Sequence, residues 1–235
     1  MMPTFRVISI GTLSSHPLWE EGADVRTGHT TTVLIEAGAK NIVVDPGLPA
    51  QALAARFFER SPVRPADVTD VFLTSFDIEN RRGLQLFEAA TWHLHEPERS
   101  AARATLEIHR KRAADAGDAE LVALYDADLA LLDRTHDAPD SLAPAVDLFP
   151  LPGPTPGTCG VLLPLPSRTV VIAGDAVATI EHLREGKVLP TCIDIETAME
   201  SFQEVLEIAD IVIPGRDNIV LNPVRSSGGQ GSMAF

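Results

Sequence analysis

Short apolar runs rich in β-branched residues repeatedly end in loops that carry glycine, proline and acidic residues. Such runs indicate buried strands, and the loops after them indicate sharp turns. Four of these loops are Val44-Asp45-Pro46-Gly47, residues 73–83, Gly174-Asp175-Ala176 and Ile213-Pro214-Gly215-Arg216. Helical patterns lie between the strands, which limits the chain to an α/β fold of short buried strands and covering helices.

The periodicity of apolar residues predicts eight strands and several helices along the chain. Strands are expected at residues 5–10, 30–37, 41–44, 68–73, 91–95, 160–163, 169–173 and 211–213. Helices are expected at residues 49–60 and 83–90, in a helical insert at 97–135, and in a last helix with Asp194 as its N-cap. Residues 137–144 are expected to form a polar linker.

Length, charge and cysteine content limit the expected number of domains, the kind of partner and the location of the protein. The 235 residues, 45% of them apolar, suffice for one domain, which we place at residues 1–225 with a flexible tail at 226–235. The net charge of −14 disfavours nucleic acid and membrane surfaces as partners. Cys159 and Cys192 form no metal-type pair, and there is no signal-peptide pattern, so a cytoplasmic location is expected.

The four loops and a fifth, at residues 153–158, follow one another in the order of the metallo-β-lactamase superfamily, which the chain resembles across residues 5–221. Residues 74–80 stand where that family has T-H-x-H-x-D-H, and residues 153–158 stand against its G-H-T-P-G-H. Residues 213–216 stand against its strand-P-G-H. The resemblance implies an αββα sandwich, with two mixed β-sheets flanked by helices.

The resemblance also implies that the histidine ligands of the family's dinuclear zinc site are missing. The former metal-site positions fall on Ser75, Asp77, Glu79, Asn80, Thr158, Asp175 and Arg216. Only the bridging aspartate is kept, as Asp175. Because zinc activates the water of such hydrolases, zinc and zinc-dependent hydrolysis are not expected, nor is any other cofactor.

Two hypotheses concern what replaces the metal. In the first, the Arg216 guanidinium pairs with Asp175 and with one carboxylate of the 74–80 loop, because clustered carboxylates need a cation. In the second, Asp77, Glu79 and Asp175 hold Mg²⁺, Ca²⁺ or Mn²⁺, which prefer oxygen ligands. Arg216 argues against the second, because it would repel a dication.

Other side chains are possible substitutes for the lost ligands. His93 and His95 alternate on one strand and are expected on a polar face. His16 and His29 are expected to be structural or on the surface. Ser75, Thr158 or Cys159 could act as a nucleophile only with a base in reach, and we expect them to fill vacated volume. The remaining histidines, His109, His136 and His182, are expected to be solvated.

These observations predict a non-catalytic or diverged homologue that binds a small molecule or a protein partner. The alternatives are a hydrolase of ester, lactone or thioester bonds with an oxygen-rich metal site or no metal, and an interaction domain whose cleft has no role. The insert at 97–135, with an apolar stripe on its second helix, is expected to cover the cleft or to form a homo-oligomer surface.

Overall fold

The computed structural model describes residues 2–23 and 25–226, so the tail expected at 226–235 lies outside the described residues except for its first position. The strands are β1 Thr4–Ser9, β2 Thr32–Ala37, β3 Lys40–Val44, β4 Asp70–Leu73, β5 Thr91–Leu94, β6 Thr135–Asp137, β7 Ser141–Ala143, β8 Val146–Pro150, β9 Cys159–Leu165, β10 Arg168–Gly174, β11 Ile211–Pro214 and β12 Val220–Leu221. The helices are α1 Ala50–Arg60, α2 Ile78–Arg81, α3 Glu96–Asp115, α4 Ala119–Asp133, α5 Ile180–Glu185, α6 Ile195–Ile208 and α7 Pro223–Ser226.

Two mixed sheets of six strands each form the centre of the molecule. The first has the order β1-β2-β3-β4-β5-β6, and the second has the order β12-β11-β10-β9-β8-β7. In the first sheet, β3 to β6 are parallel; in the second, β10 and β11 are the parallel pair. Parallel neighbours end at the same edge, so the loops after β10 and β11 lie side by side.

Three apolar layers hold the two sheets and their helices together. Residues such as Phe72 and Ile172 form the central layer between the two sheets. Leu53 and Phe57 of α1 pack on the outer face of the first sheet, and Phe202 of α6 packs on that of the second. This is the αββα sandwich expected from the sequence, and the fold is confirmed.

The prediction of a polar linker at residues 137–144 is wrong, because residues 137 and 141–143 belong to strands of the two sheets. β6 continues the first sheet beside β5, and β7 forms the edge of the second sheet beside β8. Only three residues long, β6 and β7 are too short to show a period in the sequence. Backbone hydrogen bonds to the neighbouring strands β5 and β8 stabilise these two short strands, and no local sequence pattern indicates them.

The insert is a helical hairpin, α3 and α4, that turns at Gly117 with φ of +74°. Its apolar stripe is only partly covered: Leu132 is buried, whereas Leu121 is 41% exposed. Arg81 joins α2 to the hairpin through an ion pair of 2.8 Å with Asp128. Across the described ranges, none of the helices has the length and apolar character needed to cross a membrane.

Candidate functional site

A cleft of about 720 Å³ opens where the loops after β4, β10 and β11 meet. Its size is within the range of small-molecule sites. Its described lining consists of Leu13, Ser14, Ser15, Pro17, Ser75, Asp77, Ile78, Glu79, Pro154, Thr155, Thr158, Asp175, Leu189, Pro190, Thr191, Cys192, Ile193 and Arg216. No residue of α3 or α4 is in this lining, so the expectation that the insert covers the cleft is wrong.

Arg216 connects the carboxylates of two loops in the cleft. Its Nε and Nη2 donate to the two oxygens of Asp175, each at 2.7 Å, and its Nη1 donates to Glu79 Oε2. Burial alone would lower the pKa of Arg216, but the charges of Asp175 and Glu79 raise it above the ordinary value. The Arg216 side chain is 5% exposed, so this is a buried, bidentate ion pair with a second carboxylate attached.

Gly215 is the reason that Arg216 can come so close to Asp175. A Cβ on Gly215 would lie 2.6 Å from the carbonyl carbon of Gly174 and 2.7 Å from Asp175 Oδ1. Its N–H donates to Gly174 O at 2.9 Å, and the N–H of Arg216 donates to Ala178 O at 2.8 Å. The two loops therefore touch through their backbones, a contact that only glycine permits at this position.

The Glu79 carboxylate, which accepts from Arg216 through one oxygen, packs closely against the backbone of Gly28 through the other. A Cβ on Gly28 would lie 2.4 Å from Glu79 Oε1, so glycine leaves the space that this carboxylate fills. Arg82 donates to the carbonyl oxygen of Gly28 and lies 3.9 Å from Glu79 Oε1. Glu79 is thus held between Arg216, Arg82 and the backbone of the N-terminal loop.

A fully buried polar layer lies behind the cleft. Asp45 accepts hydrogen bonds from Thr74 N at 2.8 Å and Thr74 Oγ1 at 2.6 Å. Burial raises the pKa of Asp45 to about 7, against the lowering effect of these hydrogen bonds. Asn80 donates to Thr74 Oγ1 at 3.0 Å and is fully buried, so it belongs to this layer and not to the cleft lining.

Glu98 of α3 ties two cleft loops together, a role that the sequence did not reveal. It accepts from Phe76 N at 2.9 Å, from Thr155 Oγ1 at 2.6 Å and from Gly157 N at 3.3 Å. Thr155 Oγ1 is also 2.6 Å from Thr158 Oγ1. Because the only hydroxyl proton of Thr155 goes to Glu98, Thr158 is the donor in this pair. The Thr158 hydroxyl therefore donates to Thr155 Oγ1 and accepts from Thr155 N, so both of its hydrogen-bonding functions are used within the protein.

Two residues of the 74–80 loop remain available to the cleft. Asp77 caps α2, accepting from Glu79 N at 2.9 Å, and its side chain is exposed with no ion pair within the described chain. Ser75 is 4% exposed, and no described residue hydrogen-bonds its hydroxyl. Asp77, Glu79, Asp175, Arg216, Ser75 and Thr158 thus meet in the cleft, and of the seven expected positions only Asn80 lies behind it.

His93 and His95, the possible replacement ligands, contact other groups. The strand ends at Leu94, so the two rings do not share one polar face. His93 is buried, with Nε2 at 2.8 Å from Asp70 Oδ1, and His95 donates from Nδ1 to Gly157 O at 3.0 Å. The expectation that they form a polar strand face is wrong. The described cleft lining contains neither.

The expectation that His182 is solvated is wrong, because its ring is fully buried. Its Nδ1 lies 2.9 Å from Thr179 Oγ1, which in turn lies 3.2 Å from Nε2 of His16. Burial and, to a smaller extent, the nearby His16 lower the pKa of His182 to about 4. His16 is also buried and stacks on Trp19 at 4.0 Å, which is the structural role expected of it.

Neither cysteine has the lowered thiol pKa that a nucleophilic cysteine needs. Burial raises the pKa of the Cys159 thiol to about 12, and this side chain lies in the central apolar layer. Burial and the charge of Asp175 raise the pKa of the Cys192 thiol to about 11. A thiolate is the reactive form of cysteine, so both groups remain unreactive thiols at neutral pH.

The side chains at the cleft do not fit a zinc pair. Zinc sites use imidazole, thiolate and carboxylate ligands, whereas the described lining offers carboxylates, hydroxyls and one protonated thiol, with no imidazole. Three carboxylate oxygens already accept from Arg216. In the part of the chain that the structure describes, no three His, Cys, Asp or Glu residues are grouped so as to hold a metal ion.

The chain belongs to the metallo-beta-lactamase superfamily, whose family model matches residues 25–216. This match includes all the loops that form the cleft apart from its 13–17 segment. No curated protein sequence matches the chain.

Solved structures agree with the fold. A protein from Thermotoga maritima described as a metallo-beta-lactamase is 17% identical, with 94% of this chain and 100% of that chain covered and a TM-score of 0.66. A quorum-quenching N-acyl homoserine lactone hydrolase is 18% identical, covering 92% and 93%, with a TM-score of 0.64. AiiA from B. thuringiensis, as a variant with N-decanoyl-L-homoserine bound at the active site, is 18% identical, covering 92% and 94%, with a TM-score of 0.63. At this identity, the likeness concerns the fold alone.

Proposed function

We propose that this chain is a pseudoenzyme of its hydrolase superfamily, which binds a small ligand in the cleft and lacks the family's zinc chemistry. The observation that carries this proposal is the position of Arg216. Its guanidinium donates to both oxygens of Asp175 and to Glu79, the carboxylates aligned with two of the family's metal-ligand positions. A fixed positive charge there repels a dication and occupies the oxygens that would bind it.

The state of the cleft favours ligand binding over a purely structural role. Its volume of about 720 Å³ remains open, and its described lining combines apolar residues such as Leu13, Leu189 and Ile193 with convergent polar groups. Arg216, Asp175 and Glu79 line the cleft without filling it. A cleft that was only a relic would be expected to close by packing, because interiors are close-packed.

A hydrolase of ester, lactone or thioester bonds is the second candidate, favoured by the superfamily and by the similarity to lactone hydrolases. Such an enzyme needs either a metal, for which Asp77, Glu79 and Asp175 would be the oxygen ligands, or a nucleophile. Arg216 opposes the metal, and the raised pKa of the Cys192 thiol opposes the nucleophile.

Thermal unfolding with added metal separates the two candidates. A metal that binds the folded chain stabilises it by about 2.7 kcal/mol at a hundredfold excess over its Kd. We expect the same unfolding temperature in chelator, in Zn²⁺, in Mg²⁺ and in Mn²⁺, and no hydrolysis of an N-acyl homoserine lactone. A metal that raises the unfolding temperature and supports lactone hydrolysis would establish the hydrolase instead.

A further inference from the structure

The described cleft lining carries more negative than positive charge. Asp77, Glu79 and Asp175 contribute three carboxylates, and Arg216 contributes the one guanidinium. Three of the five N–H groups of Arg216 donate to Asp175 and Glu79, and these two carboxylates already outweigh its single positive charge. Arg82, which lies 3.9 Å from Glu79 Oε1 and donates to Gly28 O, is not part of the described lining.

Asp77 is the carboxylate of the cleft that forms no direct ion pair among the described residues, although its charge, like those of Asp175 and Glu79, raises the pKa of Arg216. It is exposed, and no arginine, lysine or histidine of the described residues forms an ion pair with it. One of its oxygens accepts from Glu79 N, which leaves the other oxygen free to accept from a ligand. The excess negative charge of the cleft is therefore centred on an accessible group.

Ser75 is a second polar group of the cleft, two residues before Asp77, that is available to a ligand. This residue is 96% buried (4% exposed) and lines the cleft, yet no described residue hydrogen-bonds its hydroxyl. Its oxygen is not one of the fully enclosed unpaired atoms of the described residues, so the hydroxyl faces the cleft and can hydrogen-bond with a group bound there. The neighbouring walls are apolar and include Leu13, Leu189 and Ile193, which suit an apolar body attached to that polar group.

We propose that the cleft binds a small organic cation, an ammonium group on an apolar body, with the ammonium at Asp77 and Ser75. This inference rests on the proposed ligand-binding function. An ammonium supplies hydrogen-bond donors to both the Asp77 carboxylate and the Ser75 hydroxyl. A carboxylate or phosphate ligand is repelled, because the three carboxylates of the described lining outnumber its single guanidinium.

Three probes with the same six-carbon chain test the charge preference: hexylammonium, hexanol and hexanoate. Each is titrated into the isotopically labelled full chain, and binding is followed by amide chemical shifts of the cleft loops. We expect hexylammonium to bind most tightly, hexanol more weakly, and hexanoate to leave the cleft resonances unchanged. The preference for hexylammonium over hexanol should shrink as salt is added.

The variant Asp77→Asn removes the charge and keeps the cap, because asparagine also accepts from the helix N-terminus. We expect hexylammonium to bind about threefold to fivefold more weakly to Asp77→Asn and hexanol to bind unchanged. Asp118→Asn is the matched control: Asp118 is an exposed N-cap that accepts from Leu121 N at 3.0 Å and does not line the cleft. It should leave both affinities unchanged.

Hexanoate binding as tightly as hexylammonium, or equal hexylammonium affinities for the parent chain and Asp77→Asn, would overturn the inference. So would the absence of cleft shifts with every probe. These results would leave the proposed function in place if the protein carries no metal. Conversely, bound zinc would overturn the proposed function, whatever the three probes do.

Discussion

Replacing Arg216 by alanine should destabilise the protein strongly, because two carboxylates would lose their counter-charge together. Removing one partner of a buried ion pair costs about 3–5 kcal/mol. The side chains of Asp175 and Glu79 are 15% and 22% exposed, so water would solvate them in part. We therefore expect a loss of about 2–3 kcal/mol of unfolding free energy, measured by urea titration at neutral pH.

Two further variants make this prediction specific. Arg103→Ala breaks an exposed ion pair with Asp133 and should cost less than about 1 kcal/mol. The triple variant Arg216→Ala, Asp175→Asn, Glu79→Gln removes the stranded charges and should recover part of the stability lost in Arg216→Ala. If Arg216→Ala costs no more than Arg103→Ala, the reasoning about the buried counter-charge is refuted.

Two other predictions concern groups outside the ion pair. Glu98→Gln should lower the unfolding free energy by about 1–3 kcal/mol in urea titration, because an amide NH₂ would face a backbone donor at Phe76 or Gly157; an unchanged midpoint would contradict it. Because His182 has a folded-state pKa of about 4, below its unfolded value, its stabilising contribution is lost as the pH falls from about 6.5 to 4. His182→Gln should therefore flatten the unfolding free energy over that range, whereas His136→Gln, at an exposed site, should not; equal slopes would contradict this account.

The loops of the site could be predicted from the sequence because each depends on local signals. A strand that ends in Asp-Pro-Gly or Pro-Gly is recognisable wherever it occurs, and Asp194 caps α6 as expected, accepting from Thr197 N at 3.0 Å. The pairing of Arg216 with Asp175 and Glu79 also follows the first hypothesis, since opposite charges at strand ends of one edge attract each other.

The parts that could not be predicted depend on contacts between distant segments. Glu98 is one acidic residue in a largely polar helix, and its burial arises only because α3 passes beside Phe76 and Gly157. His182 lies among charged residues in the sequence, yet Thr179 and His16 enclose it. Asn80 aligns with a metal ligand of the family but turns into the buried layer to bond Thr74. None of these positions has a periodic or local pattern that would reveal its environment.

The metal content of the purified protein tests the central claim most directly. The chain is produced in medium supplemented with zinc, purified without chelator and measured by mass spectrometry of the elements together with protein concentration. The ion pairs of Arg216 predict far less than one zinc, manganese or iron per chain. One or two equivalents of any of these metals, lost together with stability on treatment with chelator, would contradict the claim that a guanidinium has taken the place of the metals.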